Sequence, residues 1–203
     1  MIGMVLPSRV YPVVDSAAWV ERLAAGGAKL IQLRVKHDDD AVLRREIRAA
    51  TAACLAAGAT LVVNDHWRLA IEAGADFIHL GQEDLDTADR AAIRDSGARL
   101  GVSTHSDEEL ERALAVAPDY IALGPIYPTT LKQMPFAPQG LERIAEWKRR
   151  IGTLPLVAIG GITLERAQGC VDHGADCVAM VSDIVAHEMP EARLKQWIDL
   201  LDR

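Results

Sequence analysis

Gly58-Ala59-Thr60-Leu61-Val62-Val63-Asn64-Asp65 and Gly74-Ala75-Asp76-Phe77-Ile78-His79-Leu80 are two copies of one phrase. It opens again at Gly26-Gly27-Ala28-Lys29, Gly97-Ala98-Arg99 and Gly174-Ala175-Asp176. Glycine suits the left-handed position that ends a helix, and the small Ala allows a tight return. The apolar run that follows has the length of a buried strand. Each phrase therefore closes a helix and opens a strand, and the unit recurs about every 25 residues.

Working outward, strands are expected at Val10–Val14, Lys29–Arg34, Thr60–Asn64, Asp76–Leu80, Arg99–Ser103, Tyr120–Leu123, Leu156–Ile159 and Cys177–Val181. Amphipathic stretches such as Asp39–Ala57 and Ser106–Ala117 lie between them, and Ser106 with Glu109 has the spacing of a capping box. Eight such units in regular alternation predict an α/β fold, a closed (β/α)8 TIM barrel rather than an open sheet. The 203 residues sit near the lower limit of ~200 for that fold. One barrel domain over residues 1–203 with short loops is expected. The exception is the stretch from Gly124 to Pro138, with four prolines and no helical period. A long loop on a minimal barrel suggests a lid or a ligand clamp.

Hydrophobic residues make up 50% of the chain and charged residues 25%, as in ordinary globular α/β proteins. The net charge of −7 argues against a general nucleic-acid surface, so any anionic ligand must be held by local groups. No apolar stretch approaches the ~20 residues of a membrane span. Met1-Ile2-Gly3-Met4 has neither the basic start nor the apolar run of a signal peptide, and a cytoplasmic location is expected. Cys54, Cys170 and Cys177 lack metal-ligand spacing and are expected to be buried small hydrophobes.

Asp65 and Asp84 each lie just past an apolar run, in Asn64-Asp65 and in Gly81-Gln82-Glu83-Asp84. In parallel α/β folds that edge carries the active site. Paired carboxylates without His or Cys at ligand spacing suit a hard cation, Mg²⁺, and hence phosphate. In Gln32-Leu33-Arg34-Val35-Lys36, alternation puts Gln32, Arg34 and Lys36 on one face. Arg34 and Lys36 together suit a phosphate. The same spacing equally describes a surface basic pair.

Gly160-Gly161, after the seventh run, and Val181-Ser182, after the eighth, stand where barrels often bind phosphate, although Gly-Gly alone is also a plain turn. Thr129, Thr130 and Lys132 on the long loop suit closure over a phosphorylated ligand, or a solvated loop. Ser103 could donate to a substrate oxygen without acting as a nucleophile. His79 and His105 are pocket groups or structural hydrogen-bonders, and the other histidines are assigned to structure or surface. Trp19 and Trp147 fall on helices and are expected to pack. Two anionic subsites emerge, one of Asp65, Asp84, Arg34, Lys36 and Mg²⁺, the other near Gly161 and Ser182. That reads as an enzyme joining or splitting phosphorylated compounds.

These residues, with Gly101-Val102-Ser103, Gly124-Pro125-Ile126-Tyr127-Pro128-Thr129, Ala137-Pro138-Gln139-Gly140 and Ile159-Gly160-Gly161-Ile162, closely resemble the thiamine-phosphate synthase family from about Tyr11 to Ile184. The resemblance implies the barrel and a transferase that condenses hydroxymethylpyrimidine diphosphate with a thiazole phosphate, releasing pyrophosphate. It implies that Gln32, Arg34, Lys36 and Asn64 hold the pyrimidine diphosphate, that Leu33 and Val35 are also substrate-binding, and that Asp65 and Asp84 bind Mg²⁺. Ser103 and Lys132 would contact the pyrimidine or pyrophosphate. Thr129, Gly161, Val181 and Ser182 would take the thiazole phosphate, with Thr130 a further substrate-binding residue if the loop shifts slightly. Arg34, Lys36, Ser103 and Lys132 would carry the chemistry.

The chain departs from the family at Leu131, where a second Thr often precedes the loop Lys, and at Val35, often acidic. A thiazole tautomerase is disfavoured because Gly124-Pro125 stands where that relative has a loop His. A non-catalytic binder would not need the carboxylate pair. A Schiff-base aldolase would have only Lys36 near a strand end. The expected partners are the two small phosphorylated substrates, with no nucleic acid and no membrane, and a homo-oligomer is compatible with the sequence.

Overall fold

The computed structural model describes residues 6–129 and 137–202. Its strands are β1 (Val10–Val14), β2 (Leu30–Leu33), β3 (Thr60–Asn64), β4 (Phe77–Leu80), β5 (Arg99–Thr104), β6 (Tyr120–Leu123), β7 (Leu156–Ile159) and β8 (Cys177–Met180). Each pairs in parallel with its neighbour in sequence, and β8 returns to β1, so the sheet closes as the repeat predicts. Around it run α1 (Ala17–Ala25), α2 (Asp40–Ala57), α3 (Trp67–Ala73), α4 (Gln82–Thr87), α5 (Arg90–Asp95), α6 (Asp107–Leu114), α7 (Gly140–Ile151), α8 (Leu164–Asp172), α9 (Ser182–Val185) and α10 (Pro190–Leu201). Strand ends shift by a residue against expectation. The eighth strand stops at Met180, because Val181 (φ −117°, ψ −81°) already turns into α9.

The Gly-Ala phrases behave as local chemistry requires. Gly58 and Gly74 end α2 and α3 in the left-handed region, at φ 60° and 69°. In Gly26-Gly27 the first glycine stays helical and the second, at φ 101°, makes the turn. Asp39 caps α2, accepting from the Ala41 and Val42 N–H groups at 2.7 and 3.4 Å. Asp39→Ala is expected to cost about 1 kcal/mol in urea unfolding, with activity retained.

The capping box at α6 is half as expected. Ser106 Oγ accepts from Glu109 N–H. Glu109, however, reaches past the cap to the His105 N–H (2.6 Å) and His105 Nδ1 (2.8 Å). The helix start is thereby tied to the end of β5, on the rim where ligands bind.

Alternation along each strand divides the core. Ile31 and Leu33 face outward into the layer between sheet and helices, where Trp147 and Trp197 are fully buried. Leu30 and Val62 face inward, with Tyr11, Phe77 and Tyr120 filling the barrel. The cysteines are free and buried; burial pushes the Cys54 and Cys170 thiols up to about 11 and raises Cys177 well above the ordinary thiol value. They are inert hydrophobes at neutral pH. Among the described residues no helix is long and apolar enough to cross a membrane.

Candidate active site

The inward row that holds Leu30 and Val62 deeper in the barrel holds polar residues at its C-terminal rim. Asn64 ends β3, and Gln32, His79 and Ser103 lie one residue before the ends of β2, β4 and β5; the parallel register pairs Asn64 with His79 and Ser103 with Ala122. With Tyr11 and Arg34 they line a cavity of about 270 Å³. Gln32, Asn64 and His79 are buried and Ser103 is half-buried.

A chain of hydrogen bonds connects them. Gln32 Nε2 donates to Tyr11 Oη at 2.8 Å, and the Tyr11 and Tyr120 hydroxyls lie 2.9 Å apart. Tyr120 Oη is 2.7 Å from His79 Nδ1, and His79 Nε2 is 2.7 Å from Ser103 Oγ. The Tyr120 ring also stacks on the His79 imidazole, with centroids 5.6 Å apart. Its place is reserved by Gly101, since a Cβ there would lie 2.0 Å from Tyr120 Cζ. Burial pushes His79 down to about 4, so the imidazole is neutral, and pushes both phenols up.

Asp65 follows β3 at φ 65°, its N–H bonded to the His79 carbonyl at 2.9 Å. Asp84 stands in the first turn of α4. The two side chains meet. Burial first, then the charge of Asp84, raises the Asp65 carboxyl to about 6, and Arg34 and His66 partly oppose that rise. Crowded carboxylates at a strand-end rim fit a hard divalent cation, which would relieve their repulsion. His66 Nε2, 3.1 Å from the Val35 carbonyl, braces the neighbouring loop.

A second cavity, of about 430 Å³, opens where β7 and β8 end. Gly160 (φ 100°) and Gly161 (φ 65°) form its floor. A Cβ on Gly160 would sit 2.6 Å from Pro125 Cα, and one on Gly161 2.5 Å from the Pro128 carbonyl. The loop after β6 lies on them, with Ile126 N–H donating to Ile159 O and Tyr127 N–H to Gly160 O. Ser182 opens α9, whose first N–H groups have no acceptor within the helix. Asp183 anchors that turn through Arg193 (2.8 Å) and Trp197 Nε1 (2.7 Å). Arg166 lines the same cavity, held by the Gly161 carbonyl at 2.7 Å and the Tyr127 ring. The two cavities share Thr129, Ile159, Gly160, Ala179 and Val181.

The structure thus brings Gln32, Arg34, Asn64 and Ser103 to one cavity and Gly161 and Ser182 to the next, with Thr129 and Val181 between them. Lys36 is exposed, and Lys36, Asp65 and Asp84 line neither. The side chains of Leu33 and Val35 pack in the outer layer, away from the cavities. Thr130, Leu131 and Lys132 lie outside the described residues. Sequence reasoning missed Tyr11, Tyr120 and Arg166. Tyr11 and Tyr120 do share the inward parity of their strands. Arg166 carries no local signal, being one of many helix-surface arginines.

The family described as thiamine monophosphate synthase matches residues 5–184. A thiamine-phosphate synthase of Rhizobium etli is 61% identical over 188 residues, 93% of this chain and 92% of that protein. One of Neisseria meningitidis serogroup A is 51% identical over 198 residues, 97% of this chain and 96% of its own. A solved thiamine phosphate pyrophosphorylase from Pyrococcus furiosus superposes with a TM-score of 0.83 at 24% identity, covering 94% of each chain, which shows the shared fold. With the match spanning both cavities and the carboxylate pair, the chain belongs to the thiamine monophosphate synthase family.

Proposed function

We propose that this protein is a transferase that makes thiamine phosphate from hydroxymethylpyrimidine diphosphate and a thiazole phosphate, with loss of pyrophosphate. The observation that carries this reading is the pair of cavities with a common wall, each with groups for an anion at its own end. Two phosphorylated molecules bound there would meet at Thr129, Gly160 and Val181. Family membership and relatives of nearly equal length support the same activity. Such polyanionic substrates do not cross bilayers unaided, which agrees with a cytoplasmic enzyme.

The 270 Å³ cavity takes the aminopyrimidine. Gln32, Asn64 and Ser103 supply hydrogen bonds to its polar edge, and Arg34 extends toward the diphosphate. Asp65 and Asp84 would hold Mg²⁺, with substrate oxygens and water completing the shell. When bound, the ion would neutralise charge on the leaving diphosphate. Gly160, Gly161, Ser182 and Arg166 take the phosphate of the thiazole.

The reaction needs no protein nucleophile. The bond from the pyrimidine methylene carbon to the diphosphate oxygen breaks, pyrophosphate leaves with the electron pair, and the thiazole nitrogen lone pair forms the new C–N bond. The electron-rich aminopyrimidine stabilises positive charge at that carbon, so departure precedes attack. The protein contributes alignment across the shared wall and fixed charge at the leaving group. An electron-withdrawing substituent on the pyrimidine should slow single-turnover chemistry, and an unchanged rate would exclude this order of events.

The direct test mixes both substrates and Mg²⁺ with the protein and measures thiamine phosphate and pyrophosphate. Equimolar products that require all three establish the activity. Binding of both substrates without product refutes it and leaves a precursor-binding protein. Arg166→Ala should raise KM for the thiazole phosphate about tenfold with kcat nearly unchanged, because it removes a binding charge remote from the breaking bond. A selective fall in kcat would place Arg166 in the chemistry instead.

A further inference from the structure

We propose that the buried chain Gln32–Tyr11–Tyr120–His79–Ser103 is a one-way hydrogen-bond relay that sets Ser103 as a donor and Gln32 as an acceptor toward the cavity, which makes His79 and Tyr120 positioning residues. The inference rests on hydrogen counting along four consecutive contacts of 2.7–2.9 Å. Each phenol has one hydrogen, and a neutral imidazole has one N–H and one bare nitrogen. A group with a single hydrogen and two chain neighbours must donate to one and accept from the other. Otherwise a hydrogen or a lone pair is left unmet in the barrel interior, where the penalty is largest. All four bonds must therefore run the same way.

Gln32 sets the direction. Its Nε2 donates to Tyr11 Oη, so Tyr11 donates to Tyr120, and Tyr120 donates to His79 Nδ1. His79 then carries its proton on Nε2 and donates to Ser103 Oγ. The Ser103 hydroxyl hydrogen is left for the cavity that Ser103 lines, as is the Gln32 carbonyl oxygen. The imidazole is neutral because it is buried and, among the described residues, has no carboxylate partner; the nearby charge of Arg34 disfavours its protonation further. Reversing the relay requires turning the Gln32 amide, and that would invert the polarity at both ends together.

The two walls of the cavity are therefore coupled, although Gln32 and Ser103 do not touch. The ligand they select presents an N–H donor to Gln32 and a lone-pair acceptor to Ser103. An aminopyrimidine has both, and this last step rests on the function proposed above. The relay also accounts for a buried imidazole stacked on a tyrosine, a costly arrangement for packing alone.

The tautomer of His79 decides the matter without any assay of turnover. In ¹⁵N-histidine-labelled protein without ligands at neutral pH, His79 Nε2 should resonate as a protonated nitrogen and Nδ1 as a bare one. His79→Gln identifies the pair of signals, and Tyr120→Phe should shift the Nδ1 signal by removing its donor. An Nδ1–H tautomer or an imidazolium overturns the proposal, whether or not the protein turns over substrate. Where turnover is measured, His79→Gln keeps an N–H near the Nε2 position and should retain kcat on the order of tenfold above His79→Asn, one hydrogen bond's worth. Equal losses in kcat would reduce His79 to packing.

Discussion

An Asp65→Asn variant should lose about 10²–10³ in kcat/KM if Asp65 serves the leaving group as proposed, because it removes charge that would hold the cation there. The same variant, free of metal at pH 8, should be the more stable protein by about 1 kcal/mol. Asp65 is held at about 6 by burial and by the charge of Asp84. That lies above the ~3.9 of an unfolded Asp, so the folded state binds more protons than the unfolded state between those values. Stability from this group is present below about pH 4, falls as pH rises through 6 and stays low beyond. Partial solvent exposure scales down the full shift.

Asn keeps the shape, carries no charge and can donate to Asp84. Urea unfolding with chelator should show the gain at pH 8 and none near pH 4. On the proposed metal role, saturating Mg²⁺ should reverse the order, since the wild-type pair would hold the ion more tightly than the variant. A variant destabilised at pH 8, or one that keeps full activity, contradicts the assignment of Asp65 as a strained ligand.

Gly101→Ala should be strongly disruptive, because among the described glycines it would bring a Cβ closest to a neighbouring atom. Its Cβ would fall 2.0, 2.3 and 2.4 Å from Cζ, Cε1 and Oη of Tyr120. That ring cannot swing away freely. Its hydroxyl is held by Tyr11 and His79, and its faces meet His79 and Phe77. Overpacking costs typically 1–3 kcal/mol, and about 3 kcal/mol is expected here because buried hydrogen bonds break as well. Catalysis should fall with it, since Ser103 loses its orientation. A double-mutant cycle with Tyr120→Ala isolates the clash: Gly101→Ala should cost far less once the ring is gone. Additive costs would show that the two residues do not collide.

Much of the barrel was legible because its signals are local. A glycine that must take φ near 60°, an alanine that lets the chain return, and an apolar run of strand length all act within a few residues. The helices follow from caps such as Asp39, and closure follows from regular repetition. Asp65 and Asp84 were legible for the same reason, as each sits one step beyond a readable strand. Lys36 shows where parity fails. Alternation is valid only while the strand lasts, and β2 ends at Leu33, so Lys36 lies exposed on the loop beyond. Leu33 and Val35 were carried into the site by resemblance alone, and their side chains pack against the helices.

The relay was not legible because its partners are remote. Tyr11 and Tyr120 are 109 positions apart and meet only because closing the barrel turns β1 and β6 toward one axis. Arg166 likewise becomes a cavity group only when α8 docks beside Gly161. By itself the sequence determined the repeat, the barrel and the rim that carries the carboxylates, because backbone conformation and hydrophobic period are encoded residue by residue. Only the tertiary structure decided which side chains share a cavity, which buried groups hydrogen-bond and which charges crowd one another. Those depend on distances across the barrel, and no local pattern contains them.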